Sequence, residues 1–327
     1  MRAMILDGPG KKLEMREIPD PVPGPEEIRV KISACGVCRT DLHVIDAELS
    51  HIKYPIIPGH EIVGHIDLVG PKVTTHKVGD RVGIPWLGHT CGTCPYCRSG
   101  MENLCDAPSF TGYTRDGGFA TYAIADARFA FPLRDESDDV ATAPLLCAGL
   151  IGWRSLTMAA DAKSLGIYGF GAAGHIIAQV ARWQGRSVYA FTRGGDTAAQ
   201  SLASELGASW IGSSEMQPPD LLDAAIIYAP VGALVPAALR AVRKGGRVIC
   251  AGIHMSDIPS FSYNLLWQER HILSVANLTR QDGIDFLKIV PQARIKTRTT
   301  LFPLDQANEV LTALRNGDFV GAAVLRP

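Results

Sequence analysis

Leu165-Gly166-Ile167-Tyr168 is an apolar run that ends abruptly in Gly169-Phe170-Gly171-Ala172-Ala173-Gly174, and the residues beyond place Ile176, Ile177, Val180 and Trp183 at helical spacing. A strand, a G-x-G-x-x-G turn and an amphipathic helix in that order predict a parallel βαβ unit, because parallel strands need a crossover long enough to hold a helix. The alternation continues, with apolar runs at 187–191, 224–228, 247–251 and 272–275 and helical stretches at 197–206 and 234–242. Such a pattern predicts an α/β fold, a doubly wound parallel sheet with helices on both faces.

In that context the glycines acquire roles. Gly169 permits the tight turn, Gly171 lets the backbone approach a pyrophosphate, and Gly174 allows helix and strand to pack closely. Phe170, Ala172 and Ala173 complete the loop, and the helix N-terminus offers free N–H groups and a positive dipole end to the anion. The bland alternative is a structural βα turn. A site for NAD usually ends its second strand in Asp or Glu, about twenty residues on, to hold the ribose hydroxyls. Here the second strand ends in Thr192-Arg193-Gly194-Gly195, and no carboxylate precedes Asp196. A hydroxyl and a guanidinium suit a 2′-phosphate, so NADP(H) is the expected cofactor; the alternative is an Arg193 that stacks on the adenine of NAD.

The first 150 residues read differently. Short Val/Ile-rich runs such as 27–32 and 61–66, punctuated by Gly and Pro, predict a mostly β half. With 327 residues the chain exceeds the roughly 250–300 at which one core usually stops growing, so two domains are expected. A last stretch from about 284 offers a helix near 304–315 and a strand near 320–325. No internal repeat or low-complexity linker interrupts the chain.

Composition removes several function classes. Hydrophobic residues make up 46% and charged residues 20%, too apolar for a disordered chain. The 32 basic and 33 acidic side chains nearly cancel and no Lys/Arg-rich run occurs, so the basic footprint of a nucleic-acid binder is missing. The N-terminus meets a charge and a turn residue before an export signal can develop. The most membrane-like segment, 224–239, is short of the ~20 residues of a span and is broken by Pro230, Gly232 and Pro236. A cytoplasmic protein without a membrane or nucleic-acid partner is expected.

Eight cysteines in so long a chain point to metal ligands in a reducing compartment rather than to a disulfide scaffold. Cys91, Cys94, Cys97 and Cys105 are threaded with Gly92, Pro95 and Gly100, which bend the chain so that the sulfurs can converge. Four thiolates make a closed tetrahedral zinc site with no position left for a substrate, hence a structural one. An iron–sulfur cluster fits the same ligand type. Cys38, His60, Glu61 and Cys147 remain as further candidates. His60-Glu61 begins like H-E-x-x-H, but the next histidine is His65, five positions on, and Gly64 with β-branched neighbours argues against a helix, so a protease is rejected. Their spacing along the chain does not by itself prove a second metal.

The run Cys38-Arg39-Thr40-Asp41-Leu42-His43, the Gly59-His60-Glu61-x-x-Gly64 motif, the four-cysteine segment, Gly79-Asp80-Arg81-Val82, the region of Cys147 and the glycine fingerprint occur in one order. In that order they resemble the zinc-containing medium-chain alcohol dehydrogenases over nearly the whole chain, most closely the bacterial branch near the cinnamyl alcohol dehydrogenases. The resemblance implies a GroES-like β-rich catalytic domain at 1–148, with a structural zinc lobe at 88–106. A Rossmann NAD(P)-binding domain at 149–284 and a C-terminal segment at 285–327 completing the catalytic domain follow from it, with the active site in the cleft. It also implies two zinc ions per subunit. Cys38, His60 and Cys147 would hold the catalytic ion, with Glu61 as support or alternating fourth ligand, and one position would stay open for substrate oxygen.

By the same resemblance, Thr40 takes the substrate proton and a path through the nicotinamide ribose delivers it to His43, while Arg39 contacts the pyrophosphate unless it is a solvated surface residue. Trp86 matches the aromatic wall of the substrate pocket, and Tyr113 is a further candidate for lining it, although aromatics are more often core than pocket. The expected reaction is reversible hydride transfer between NAD(P) and primary alcohols or aldehydes, with secondary alcohols as an extension. A homodimer or homotetramer is implied by the family alone. Three rivals compete: a metal-free reductase of the same superfamily, which would lack both ligand sets; a zinc-scaffolded binding protein, which explains neither the glycine fingerprint nor the second set; and a polyol dehydrogenase, a branch that often lacks a cysteine at the position of Cys147.

Overall fold

A computed structural model describes every residue of the chain except 134–136 and 319. It divides into two compact units: Met1–Ala148 with Leu278–Lys288 and Lys296–Pro327, and Gly149–Asn277 with Ile289–Ile295. No single helix among the described residues is long and apolar enough to cross a membrane.

The second unit is built on six strands, all parallel. Across the sheet they run Trp210–Ser213, Ser187–Thr192, Ser164–Tyr168, Leu222–Ile227, Val242–Cys250 and His271–Ser274. In sequence terms the order is third, second, first, fourth, fifth, sixth, the Rossmann order, and the direction of winding reverses beside Ser164–Tyr168. Gly169 to Gly174 follow that strand, so the glycine loop lies at the reversal. Parallel strands covered on both faces must be apolar throughout, and Leu165, Ile167 and Ala224 to Ile227 are accordingly buried. Tyr168 and Phe191 stack at 4.0 Å with an interplanar angle of 4°, at the heart of this core.

Several elements differ from the sequence expectation, among them the unforeseen helix Arg280–Gln292 and strand Thr299–Pro303. Trp210–Ser213 was not foreseen as a strand: it is four residues long, contains Gly212 and forms the outer edge, too short for a period of two to show. The fingerprint helix is Ala172–Trp183, with Gly171 as its N-cap, so it starts inside the glycine motif rather than after it. The last strand is Ala322–Arg326, because Gly321 turns the chain at φ 92° just before it.

The first unit is organised around a seven-stranded sheet. Thr299–Pro303, Ala322–Arg326, Glu27–Val37, Glu61–Val69, Arg81–Ile84 and Phe131–Pro132 lie side by side, and Tyr122–Asp126 joins the other part of Glu27–Val37. Only the first two are parallel to each other. Glu27–Val37 is the longest strand and carries two register shifts, between Arg29 and Val30 and between Ile32 and Ala34. Its end pairs with the start of Glu61–Val69, Gly36 opposite Glu61, which sets Cys38 beside His60.

Phe191 is fully buried between strand and ring neighbours. Phe191→Ala is expected to cost about 3–5 kcal/mol of unfolding free energy, the usual loss for a core phenylalanine. Denaturant unfolding of both proteins measures it; a difference below about 1 kcal/mol would contradict the packing described.

Candidate functional site

Cys38 stands where the strand Glu27–Val37 gives way to the helix Arg39–Ile45, and it is that helix's N-cap. Its Sγ accepts from the Thr40 N–H at 3.3 Å, and the Asp41 carboxylate accepts from the Cys38 N–H at 2.9 Å. The reciprocal pair is a capping box with a thiol in place of a hydroxyl. The other oxygen of Asp41 accepts from Gly59 N at 3.2 Å and lies 3.2 Å from His60 Nδ1, though no hydrogen bond to the ring is completed. A fully buried carboxylate thus ties the Cys38 turn to the His60 turn. Sequence reasoning passed over Asp41; the signal available was its place three residues after Cys38, the capping-box offset.

Around this anchor the ligand atoms of Cys38, His60, Glu61 and Cys147 lie within 4.8 Å of one another. Cys38 Sγ is 3.0 Å from His60 Nε2 and 4.0 Å from Cys147 Sγ. The latter approaches the ~3.8 Å separation of two thiolates on one tetrahedral zinc with Zn–S bonds of about 2.3 Å. Hydrogen bonding from the Cys147 thiol draws the Cys38 thiol well below its ordinary range. Glu61 is buried, and Oε2 has no hydrogen-bond partner among the described residues. Burial, with Cys38 beside it, pushes its carboxyl well above the usual carboxylate range. A protein-only interior gives such a group no reason to exist; a cation would.

The same carboxylate explains a glycine. A Cβ on Gly36 would fall 1.8 Å from Glu61 Oε2 and 2.8 Å from its Cδ, so the opposing strand leaves out a side chain to seat Glu61.

Cys91, Cys94, Cys97 and Cys105 form a second group of converging sulfurs, Cys91 and Cys97 at 4.0 Å. Backbone N–H groups aim at them: Thr93 N and Cys94 N at Cys91 Sγ, Cys97 N at Cys94 Sγ, and Cys91 N and Ala107 N at Cys105 Sγ, at 3.3–3.5 Å. Donation from Thr93 and Cys94 lowers the Cys91 thiol to about 6. Gly92 and Gly100 adopt positive φ at the bends. Glu102, between the third and fourth cysteines, accepts from the Arg280 backbone N–H at 2.7 Å and from its guanidinium at 2.6 Å, and Arg280 lies over Phe129.

Of the aromatic candidates, Trp86 is buried and meets His60 edge-on at 5.0 Å, and Tyr113 stacks on Trp86 at 5.5 Å. Phe110 stacks on Trp86 at 5.2 Å, a third member the sequence did not single out. The Tyr113 hydroxyl donates to the Ser50 carbonyl. Arg39, Thr40 and His43 share the helix Arg39–Ile45: Arg39 is exposed, Thr40 half-buried and His43 buried. Thr40 and His43 are three residues apart and therefore on one helix face.

In the second unit Gly169 adopts φ 93°, and a Cβ on Gly174 would meet the Gly169 carbonyl at 2.5 Å. A Cβ on Gly171 would point into open space, and the helix behind it has no side-chain cap, so its first N–H groups are available to a ligand. Phe170 is buried, whereas Ala172 and Ala173 are partly exposed. Arg193 is exposed at the end of the second strand. Thr192 is buried; its hydroxyl accepts from Gln200 Nε2 at 3.1 Å and lies within reach of the Arg193 and Gly212 carbonyls.

A cluster of sulfur, imidazole and carboxylate on one unit and a phosphate-ready glycine loop on the other define a metal-using, dinucleotide-using oxidoreductase. Comparison with known proteins agrees. The alcohol dehydrogenase GroES-like domain family matches residues 24–135. A probable alcohol dehydrogenase of Mycobacterium tuberculosis is 47% identical over 313 residues, covering 93% of this chain and 90% of that protein. Among solved structures, a cinnamyl alcohol dehydrogenase of Sorghum bicolor superposes with a TM-score of 0.89 at 25% identity, covering 97% of this chain and 94% of that one. A Sinorhizobium meliloti protein described as a zinc-binding dehydrogenase and solved bound to NADP gives 0.89 at 25% identity, covering 100% and 99%. The chain belongs to the medium-chain alcohol dehydrogenase family and is an enzyme of alcohol–aldehyde oxidoreduction.

Because Gly36 makes room for Glu61, Gly36→Ala is expected to destabilise the protein by about 1–3 kcal/mol, as overpacking does. The cost should shrink when Glu61→Ala is present, a coupling of 0.5 kcal/mol or more for residues in contact, by the order of magnitude of such cycles. A double-mutant cycle in denaturant measures it; strict additivity would contradict the seating of Glu61 against Gly36.

Proposed function

We propose that the chain is a zinc-dependent alcohol dehydrogenase and aldehyde reductase that favours NADP(H) and acts on primary alcohols and aldehydes. The observation that carries this reading is the buried Glu61 carboxylate, its Oε2 without a hydrogen-bond partner among the described residues, set among Cys38, His60 and Cys147. Three ligands with one place left over suit a catalytic ion, and the four sulfurs of Cys91, Cys94, Cys97 and Cys105 suit a closed structural one. Zinc held there would supply Lewis-acid chemistry to the substrate oxygen, easing loss of the hydroxyl proton at neutral pH. The dinucleotide supplies the hydride chemistry, and the chain supplies position.

Each proposed role belongs to a named atom. Cys38 Sγ, His60 Nε2 and Cys147 Sγ hold the ion, Asp41 orients the His60 ring from its far nitrogen, and Glu61 stands as support or alternating ligand. Thr40 Oγ1 takes the proton of the substrate hydroxyl, and His43, on the same helix face, releases it towards water. Trp86, with Tyr113 and Phe110 stacked on it, forms the apolar wall that excludes water from the reacting carbon. The backbone of Gly169 to Gly174 and the N–H groups that open the helix Ala172–Trp183 hold the pyrophosphate, with Arg39 as a further cationic contact. Arg193, exposed where a ribose carboxylate would otherwise stand, favours a 2′-phosphate; the buried and internally bonded Thr192 supports that turn rather than reaching the cofactor. The catalytic domain of this reading comprises 1–148 and 285–327 and the dinucleotide domain 149–284. The enzyme is expected to work in the cytoplasm as a homodimer or homotetramer.

Cys38→Ala or His60→Ala is expected to abolish turnover while NADPH binding, followed by fluorescence titration, survives. Full activity in either variant would refute the metal assignment. Cys94→Ser should instead lower thermal stability and the zinc content from two towards one per chain before it touches chemistry.

Cofactor choice has its own test. Steady-state kinetics should give a higher kcat/KM with NADPH than with NADH, and Arg193→Ala should lower the NADPH value about 10- to 100-fold, the worth of a charge-assisted hydrogen bond or two. A clear preference of the wild type for NADH would reverse the assignment.

A further inference from the structure

The turn after the helix Arg39–Ile45 is built in an unusual way. Asp46 closes the helix, and Ala47 then adopts φ 57°, a left-handed conformation that a residue with a Cβ enters only at a cost. The reversal lets the Glu48 N–H donate to the His43 carbonyl at 2.9 Å and brings the Glu48 carboxylate onto His43 Nδ1. The turn is also pinned from outside. Arg315, on the helix Ala307–Asn316, grips both oxygens of Asp46 at 2.6 and 2.8 Å, and its charge reaches Glu48 as well. His43 is buried while Glu48 is exposed, so this carboxylate lies between a sheltered imidazole and the surface. A strained residue next to an ion-paired helix cap at such a point asks for a functional reason.

We propose that Glu48 is the positioning residue of the proton exit: its carboxylate holds the Nδ1–H of His43 and so makes Nε2 the proton-accepting nitrogen. The chemistry is one-sided. A carboxylate can only accept, so the nitrogen facing it must carry the hydrogen, and the neutral ring must then offer its lone pair at Nε2. In alcohol oxidation the carbinol carbon loses a hydride, two electrons and one proton, to the nicotinamide. The hydroxyl proton leaves separately by way of Thr40, is taken up at His43 Nε2 and is lost from the ring to water. The products are aldehyde, reduced dinucleotide and one proton, and Glu48 keeps its own protonation state throughout. In the other tautomer Nε2 would carry a hydrogen and could not accept a second.

This inference rests on the relay proposed above, so its test must separate the two. The tautomer of His43 is read by ¹⁵N NMR of histidine-labelled, zinc-loaded protein without dinucleotide, with His43→Asn identifying its signals among the nine histidines. Wild type and Glu48→Gln, whose amide oxygen still accepts, should show Nδ1–H, and Glu48→Ala should move the ring towards Nε2–H. In parallel, alcohol oxidation with saturating NADP should fall about tenfold in Glu48→Ala, a part of what a positioned acid–base group contributes, and stay near wild type in Glu48→Gln. Zinc content and NADPH binding should be the same in all three. An Nε2–H ring in the wild type, or a ring unmoved by Glu48→Ala, overturns the role of Glu48. If His43→Gln oxidises alcohol as fast as wild type, the relay itself fails, and the NMR result still decides whether Glu48 sets the ring.

Discussion

One antiparallel pairing governs the chemistry of the first unit. The end of Glu27–Val37 lies against the start of Glu61–Val69 with Gly36 opposite Glu61; Cys38 lies two residues beyond Gly36 and His60 immediately before Glu61. A slip of one residue would send Glu61 to the other face of the sheet, since side chains alternate with a period of two, and would break the constellation. The register is protected from both sides. Gly36 admits the carboxylate that any larger residue would exclude, and Asp41 bonds at once to the Cys38 and Gly59 backbones. These contacts make the site a consequence of sheet geometry rather than of loop conformation, which suits a centre that must hold its ligands within tenths of an ångström.

What could be read in the sequence follows the range over which each signal acts. The glycine fingerprint was legible because strand, turn and helix are consecutive, and each glycine has its own steric reason: φ 93° at Gly169, the contact with the Gly169 carbonyl at Gly174. The four cysteines were legible for the same reason, all lying within one short bend. Cys38, His60 and Cys147 are separated by long stretches of chain, and only the order of family motifs suggested that they belong together. Asp41 and Glu48 escaped notice because a lone acidic residue, without a spatial partner visible in sequence, looks like solvated surface. Their meaning comes from the Ala47 reversal and from a histidine ring two segments away. Trp210–Ser213 was missed because an edge strand of four residues has no room for a pattern.

The lobe of four cysteines is fixed by an interaction of a different kind. Glu102 lies inside the loop that the sulfurs close, and it binds both the backbone and the guanidinium of Arg280, the first residue of a helix almost two hundred positions away in sequence. Glu102 is buried but the Arg280 side chain is 40% exposed, so solvent screens the attraction and the pair adds little net stability. It does add direction. Arg280 must face Glu102 while its guanidinium covers Phe129, so the lobe has one orientation on the unit that carries it.

The two candidate ligand clusters differ in one respect that bears on the roles proposed for them. In the lobe every ligand is a sulfur, and backbone N–H groups point at Cys91, Cys94 and Cys105, a shell that spreads negative charge over donors already in place. At Cys38 and His60 the ligands are mixed and the shell is incomplete: Glu61 Oε2 is buried with nothing described to receive it, and His60 Nδ1 lies near Asp41 without a finished bond. A closed site has no use for a surplus acidic group in its interior, since the desolvation cost buys nothing. A site that exchanges substrate would have a use for one, which is consistent with the role proposed for Glu61 as support or alternating ligand.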